Sequence, residues 1–182
     1  MIKTKDMILA SLFAAITFIM GLVKIPLPFS PVPITGQTFA VMLAGGLLNP
    51  ITAFLSLFIF DLLGIIGIPV FSGMTGGLNV IVGPKGGYIL SWPFAAFLTS
   101  LILKNKRVNF INVFITYLLF GIIFVYILGI TQLFLVTGMS YKTAFLVGAL
   151  PFIPGDLIKA AIASYLTLKL RPVVGEYEKR QG

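Results

Sequence analysis

Long apolar segments, separated by short connections, make up most of this 182-residue chain. About 20 predominantly apolar helical residues cross the hydrocarbon core of a bilayer. The pattern therefore predicts an all-α integral membrane protein, a bundle of six transmembrane helices that forms one membrane domain over residues 1–182. The predicted spans lie at about 7–23, 36–48, 51–66, 88–103, 110–130 and 143–170.

Two connections between these spans are neither polar nor helical in pattern. The stretch from Lys24 to Thr35, KIPLPFSPVPIT, carries four prolines and predicts a stiff, extended, apolar loop that covers something as a lid or rests on the headgroups. The stretch from Gly64 to Gly87 carries eight glycines without helical periodicity. Such a non-helical loop exposes backbone amides and lets a ligand approach closely.

The last apolar segment contains an acid and a base three residues apart in its interior, Asp156 and Lys159. Positions three apart lie on one face of a helix. A charge at the bilayer centre costs roughly 2.5–3.5 kcal/mol on insertion scales, which makes such a pair a functional-site hypothesis. The alternative is a structural ion pair that orients the helix. Pro154 and Gly155 just before the pair predict a broken or kinked helix.

Composition supports a membrane protein and disfavours an enzyme. The chain is 58% hydrophobic and 10% charged, against about 25% charged residues in soluble domains. It has no cysteine and no histidine, which excludes disulfides, zinc–thiolate sites, iron–sulfur clusters and the usual histidine general base. The first apolar segment lacks a small-residue cleavage pattern, and we expect a retained span rather than a signal peptide.

The 13 basic residues exceed the five acidic ones, which gives a net charge of +8. The bases cluster at the ends of the apolar segments, so membrane topology explains them better than nucleic-acid binding does. With cytoplasmic termini, the inner ends hold Lys3, Lys5, Lys104, Lys106, Arg107, Lys169, Arg171, Lys179 and Arg180, against Lys24, Lys85 and Lys142 outside. We therefore expect cytoplasmic N- and C-termini, with the proline- and glycine-rich loops on the outer side.

Four further residues have two interpretations each. Ala10 and Ala14 have small-xxx-small spacing, which allows close approach of another helix or internal packing; Ser11 and Ala15 repeat it on the neighbouring ridge. Trp92, one turn from Tyr88, is typical of an interfacial anchor, with stacking on a ligand as the alternative. We interpret Asp61 as a residue near the membrane face rather than a ligand contact.

Four motifs in order, VPITGQTFAVMLAGGLL, GIPVF, GPKGGYILSWP and PFIPGDLIKA, resemble the BioY family. These proteins are the biotin-binding S components of energy-coupling factor (ECF) vitamin transporters. The resemblance implies a high-affinity, substrate-capturing subunit in a prokaryotic plasma membrane, with biotin as transported ligand and no cofactor. It also implies a transmembrane coupling subunit and two cytosolic ATPases as partners, with Ala10 and Ala14 as the docking motif.

The resemblance also implies a binding site. Asp156 would accept from the ureido N–H groups and Lys159 would donate to the ligand, since the family's Pro-Gly-Asp-x-x-Lys motif matches both. Asn79 falls in the glycine-rich loop that contacts the ureido ring, and Gln37 and Tyr88 match positions that line the pocket.

Two positions depart from the family pattern. Lys85 stands where the family usually has a small polar residue, and it either reaches the valerate carboxylate or faces solvent. Asp61 stands where the family is usually apolar. An S component for another vitamin, such as thiamin or riboflavin, an autonomous carrier and a structural membrane protein without a transport role remain alternatives.

Overall fold

Helices make up most of the computed structural model, which describes residues 3–104 and 108–180, with the backbone alone for 175–180. The elements are α1 (Thr4–Leu22), β1 (Lys24–Leu27), β2 (Ser30–Thr35), α2 (Gln37–Leu47), α3 (Pro50–Ile65), α4 (Leu78–Val82), α5 (Gly86–Lys104), α6 (Phe110–Thr116), a π-helical segment (Tyr117–Phe124), α7 (Val125–Thr137), α8 (Tyr141–Gly148) and α9 (Ile153–Arg180).

Three of these helical segments are long and apolar enough to cross a membrane: α1, α5 and the continuous helix from α6 to α7. α8 and α9 together form a fourth candidate, bent by 51° at their junction. α2 and α3 are apolar but shorter, with 11 and 16 residues. The mostly helical, membrane-type fold is thus confirmed, whereas the count of six spans stays a prediction.

The bend between α8 and α9 confirms the kink predicted before Asp156, but it divides the predicted 143–170 span into two helices. The helix over the predicted 110–130 span continues through α7 to Thr137 and ends at Gly138, whose left-handed φ of 70° is typical of a helix C-terminus. Lys106 and Arg107 lie outside the described residues, as do the side chains of Lys179 and Arg180, so the charge count that orients the termini also stays a prediction.

The proline-rich stretch is extended, as expected, but it forms an antiparallel hairpin rather than an unpaired loop. Lys24 pairs with Thr35, Ile25 with Ile34 and Leu27 with Ser30. The register shifts between Ile25 and Leu27, where Pro26 lacks the N–H that a regular ladder requires.

The glycine-rich stretch is mostly irregular but not wholly non-helical, because it contains the five-residue helix α4. Left-handed backbone at Gly67, Gly73 and Gly77 explains the need for glycine at those three positions. The Gly73 N–H donates to the Gly21 carbonyl at 3.4 Å, and the Gly36 N–H donates to the Met20 carbonyl at 3.0 Å. The end of α1 therefore holds the glycine-rich segment and the hairpin side by side.

The core is built around α5, which packs against α2, α3 and α7. The ring of Phe60 lies 5.7 Å from that of Phe71 and 6.0 Å from that of Trp92, measured between centroids. Phe71 belongs to the glycine-rich segment and inserts against Gly64 of α3. This aromatic row connects the glycine-rich segment to the interior of α5.

We expect Gly64→Ala to lower the free energy of unfolding by about 1–3 kcal/mol, the usual cost of overpacking a core. A Cβ at Gly64 would overlap the buried ring of Phe71. The measurement is thermal unfolding of the detergent-solubilised protein. Gly155→Ala in α9 is the matched control, because a Cβ there meets nothing within 4 Å. Equal unfolding temperatures for the two variants would contradict the packing assigned to Phe71.

Candidate functional site

A cavity opens where β2, the start of α2, α5, α7 and the α8–α9 junction meet. The empty space in it, together with the solvent at its open mouth, amounts to about 580 Å³. The lining consists of Val32, Pro33, Thr35, Gln37, Thr38, Ser72, Lys85, Tyr88, Ile89, Trp92, Val125, Tyr126, Gly148, Phe152, Asp156 and Lys159.

The Asp156 carboxylate lies in the first turn of α9, where the helix dipole favours a negative charge, and its residue is only 4% exposed. Oδ1 accepts from the Thr38 hydroxyl at 3.1 Å and from Lys159 Nζ at 2.9 Å. Oδ2 accepts from the Tyr126 hydroxyl at 2.6 Å. A carboxylate has about four acceptor positions, so one position on Oδ2 remains for a ligand.

Lys159 joins the hairpin to α9 as well as pairing with Asp156. Its Nζ donates to the Thr35 carbonyl at 2.7 Å, to the Thr38 hydroxyl at 3.2 Å and to Asp156 at 2.9 Å. An ammonium has three N–H donors, and these three contacts use all of them. Direct donation from Lys159 to a ligand, as expected from the sequence, would require one of these bonds to break.

Aromatic side chains from α5 form one wall of the cavity. The Tyr88 hydroxyl donates to the Gly148 carbonyl at 2.8 Å, which joins α5 to the end of α8. Trp92 also lines the cavity and is only 5% exposed. The interfacial-anchor interpretation of Trp92 is therefore wrong, because α5 turns this ring into the protein rather than towards the surface.

Gln37 begins α2 and is 2% exposed. Its Oε1 lies 3.4 Å from the Thr35 hydroxyl, which donates to it, while its Nε2 has no hydrogen-bond partner among the described residues. The indole N–H of Trp92 is likewise buried and unpaired within the described part of the chain. Two lining residues thus carry a donor that is enclosed by protein and has no partner among the described residues.

Lys85 lies in the turn before α5, half-buried in the cavity lining. Burial lowers the pKa of this lysine, and the nearby positive charge of Lys24 lowers it further. An anion bound beside Lys85 would favour its charged form. The structure therefore brings Lys85 together with Asp156, Lys159, Gln37 and Tyr88 around one cavity.

Two other predicted positions lie away from this cavity. Asn79 is exposed on α4 and is not part of the lining. Asp61 also lies outside the lining; it is buried in α3 at 3% exposure, and its Oδ1 has no partner among residues 3–104 and 108–180. It lies one turn before the end of α3 but is covered by protein rather than by headgroups.

The predicted docking residues also point inward. Ala10 and Ala14 are 1% and 6% exposed, because that face of α1 packs within the protein, where α1 meets α2 and α3. Ser11 and Ala15, on the neighbouring ridge, are exposed. In this conformation the pair with a free surface is therefore Ser11 and Ala15.

Sequence reasoning missed Thr38 and Tyr126, both of which contact Asp156. Thr38 follows Gln37 at the start of α2. Its hydroxyl, next to a residue predicted to line the pocket, could have indicated a role in the site. Tyr126 is a phenol in an otherwise apolar span, but its partner is 30 residues away along the chain. No local spacing connects these residues to Asp156.

This arrangement suits a small amphipathic molecule with N–H donors, acceptor atoms and an anionic end. Asp156 offers an acceptor position, Trp92 offers an aromatic wall, and Lys85 offers a positive charge. Among the described residues, no group of His, Cys, Asp and Glu side chains could hold a metal ion.

Comparisons with known proteins agree on one family. A model of the BioY family matches residues 1–176. A protein named probable biotin transporter BioY, from Bacillus subtilis (strain 168), is 41% identical over 173 residues, which are 93% of this chain and 92% of the relative. The biotin transporter BioY of Rhizobium etli is 40% identical over 173 residues, 90% of this chain and 91% of that protein.

A solved structure of the S-component for biotin from an ECF-type ABC transporter matches with a TM-score of 0.87 and 38% identity, covering 92% of this chain and 91% of that one. The S component of a bacterial ECF transporter matches with a TM-score of 0.57 and 21% identity, over 96% and 98% of the two chains. The second match shows the fold alone.

Proposed function

Because this chain belongs to the BioY family, we propose that it is the biotin-capturing S component of an ECF-type vitamin importer. It acts as a binding and transport subunit rather than as an enzyme. The observation that carries the proposal is the buried Asp156 carboxylate, which keeps an unused acceptor position and belongs to the lining of the cavity.

Biotin matches the cavity group by group. A cyclic urea presents N–H donors, for which the free acceptor position on Asp156 Oδ2 is available. The thioether ring and the methylene chain are apolar and suit the walls formed by Val32, Trp92 and Phe152. The methylene chain of biotin ends in a carboxylate, which requires a cation. Lys85 lies in the lining and, among the described residues, forms no ion pair of the kind that holds Lys159.

Competition between vitamins tests this assignment. Purified protein in detergent is loaded with labelled biotin, and a large excess of unlabelled biotin, thiamin or riboflavin is added. We expect unlabelled biotin alone to displace the label, because neither thiamin nor riboflavin combines a cyclic urea bearing two N–H groups with an alkyl carboxylate. Displacement by thiamin or riboflavin, with weak retention of biotin, would keep an S component but assign another substrate.

The contact with Lys85 predicts a pH dependence. Lys85 is positive below its pKa and neutral above it, and burial and Lys24 lower this pKa. Biotin affinity should therefore fall as the pH rises through the lowered pKa of Lys85, while the ligand carboxylate stays ionised. The measurement is the dissociation constant across an alkaline pH series.

Biotin methyl ester and Lys85→Met supply the controls for that series. The ester has no charge for Lys85 to bind, and the variant has no amine to titrate, so both profiles should be flat. An equal fall in affinity for biotin and its ester in the unmodified protein would remove Lys85 from the carboxylate contact.

For the membrane arrangement, we propose six spans with both termini in the cytoplasm of a prokaryote. α2 and α3 then serve as short spans, and the α8–α9 pair serves as one bent span. The excess of basic residues at the inner ends supports this orientation. It places the hairpin and the open mouth of the cavity on the outer side, where a captured vitamin would enter.

A transmembrane coupling subunit and two cytosolic ATPases are the partners that we propose, since relatives with this fold are S components of ECF transporters. Ser11 and Ala15 supply the exposed small pair on α1 that allows a partner helix to approach closely.

Ala15→Leu should reduce co-purification with the coupling subunit several-fold and leave biotin binding unchanged. Ala10→Leu is the buried counterpart and should instead lower the unfolding temperature. Normal co-purification of the Ala15 variant would contradict this docking face.

A further inference from the structure

Two tyrosines on the continuous helix from α6 to α7 bond to α9 at two levels of the bundle. The Tyr126 hydroxyl, at the cavity, donates to Asp156 Oδ2 at 2.6 Å. The Tyr117 hydroxyl shares a hydrogen bond of 2.6 Å with the Thr167 hydroxyl. Asp156 and Thr167 lie eleven positions apart in α9, which is about three turns of an α-helix. Both partners of the tyrosines therefore lie on one face of α9.

The spacing of the two tyrosines does not fit a regular helix. Tyr117 and Tyr126 are nine positions apart, about two and a half turns of an α-helix, which would turn them to opposite faces. The π-helical segment Tyr117–Phe124 lies between them. A π-helical turn closes its hydrogen bond from i to i+5 and so holds one residue more than an α-helical turn. This extra residue brings both hydroxyls to the side that faces α9.

Holding the two tyrosines in place does not by itself require an extra residue. A regular α-helix one residue shorter would present them eight positions apart, about 80° from each other and both towards α9. π-helical turns are rare and occur mostly as single turns inside α-helices, frequently at functional sites. We therefore looked for a movement that the extra residue permits.

Such a residue can shift along a helix, because each turn it passes exchanges one hydrogen bond from i to i+5 for one from i to i+4. Both sides of this stretch are held in place, by Tyr117 at α9 and by Gln132, whose Nε2 donates to the carbonyls of Ile81 and Gly83 at 2.6 and 2.9 Å. Only the residues that the extra residue passes would turn, by about 100°. If it passed Tyr126, that hydroxyl would leave α9.

We propose that the π-helical segment is a gate of the cavity: its extra residue shifts past Tyr126, the hydrogen bond between Tyr126 and Asp156 breaks, and the cavity wall opens. Val125 turns together with Tyr126, and both belong to the lining. The ligand enters and leaves while the wall is open and is held while it is closed. This inference rests on the proposed function, since it takes biotin as the ligand.

Deletion of Leu119, an exposed residue of the π-helical segment, should lock the gate closed. The helix then closes as a regular α-helix with Tyr126 still at Asp156, so the dissociation constant for biotin should stay close to that of the unmodified protein. The association and dissociation rates should both fall about tenfold, because entry and exit use the same opening. Stopped-flow mixing and displacement of labelled biotin measure the two rates.

Deletion of Ile127, an exposed residue just beyond Tyr126, is the matched variant and should lock the gate open. A regular helix over this stretch keeps Gln132 at its carbonyl partners but turns Tyr126 away from Asp156. The deleted chain should therefore unfold near the temperature of the Leu119 deletion. Its affinity for biotin should be at least about tenfold weaker, the usual effect of losing a hydrogen bond to a charged group.

Two results would overturn the inference. If the extra residue were fixed in place, the Ile127 deletion would pull Gln132 from its partners and unfold far below the Leu119 deletion. If the π-helical segment only placed Tyr126, the Leu119 deletion would either lose its fold or bind biotin with unchanged rates.

Amide hydrogen exchange of the unmodified protein needs no variant. A bound ligand favours the closed gate, so biotin should slow exchange over Tyr117–Phe124 more than over α6. Equal slowing in both segments would contradict the shift. Failure of the unmodified protein to bind biotin at all would instead overturn the proposed function, so the two failures are distinguishable.

Discussion

Replacing Asp156 with asparagine is expected to weaken biotin binding by about 30-fold to several thousand-fold, the range for losing one partner of a buried, hydrogen-bonded charged group. The amide has one acceptor oxygen in place of two and adds an N–H₂ group. It cannot serve the Tyr126 hydroxyl, the Thr38 hydroxyl, Lys159 and a ureido N–H together. Calorimetric titration of the purified variant measures the loss.

Asp61→Asn is the matched control for this variant. It makes the same chemical change at a buried carboxylate, 3% exposed, that lies outside the cavity lining. We expect its biotin affinity to stay close to that of the unmodified protein. Equal affinities for both variants and the unmodified protein would remove Asp156 from the binding site.

Replacing Lys159 with methionine is expected to destabilise the fold by about 3–5 kcal/mol, because it leaves the buried Asp156 without its cation. It also releases the Thr35 carbonyl, and with it the end of β2 that forms part of the cavity wall. Biotin binding should fall as well, through the loss of this positioned wall. Thermal unfolding in detergent and biotin titration measure the two effects.

A second substitution separates charge pairing from packing. Adding Asp156→Asn to Lys159→Met removes the unpaired charge, so the double variant should unfold at a higher temperature than Lys159→Met alone. Lys142→Met is the control for losing a lysine, because Lys142 is exposed. If Lys159→Met unfolded at the same temperature as Lys142→Met, the ion pair between Asp156 and Lys159 would not contribute to the stability of the fold.

Local patterns were sufficient for the features that depend on neighbouring residues. Apolar length predicted the helical membrane fold, and Pro154 and Gly155 predicted the bend before α9. The spacing of Asp156 and Lys159 placed both on one helix face, and they form an ion pair at 2.9 Å. These features are set by helix periodicity and by backbone chemistry within a few residues.

Features that depend on distant packing were not predictable in this way. Thr38 contacts Asp156 across 118 residues of sequence, and no spacing indicates that pair. The direction of Trp92 and the burial of Ala10 and Ala14 depend on which face of each helix meets its neighbours. Those faces differ little in hydrophobicity, because lipid-facing and protein-facing residues are both apolar.

The structure of the glycine-rich segment could likewise be predicted only in part from the sequence. Its glycines predicted irregular backbone, which Gly67, Gly73 and Gly77 confirm with positive φ. The short helix α4 carries no periodic signal over five residues, so Asn79 could not be placed from the sequence. Whether Asn79 contacts a ligand therefore stays a prediction, and the structure keeps it outside the lining.

The most direct test of the central claim is a fluorescence titration of the purified protein with biotin. Trp92 is the only tryptophan in the sequence and lines the cavity. Binding at the proposed site predicts a saturable change in Trp92 emission with one biotin per chain. A folded sample whose emission does not change as biotin is added, and which shows no heat of binding, would contradict biotin capture in this cavity.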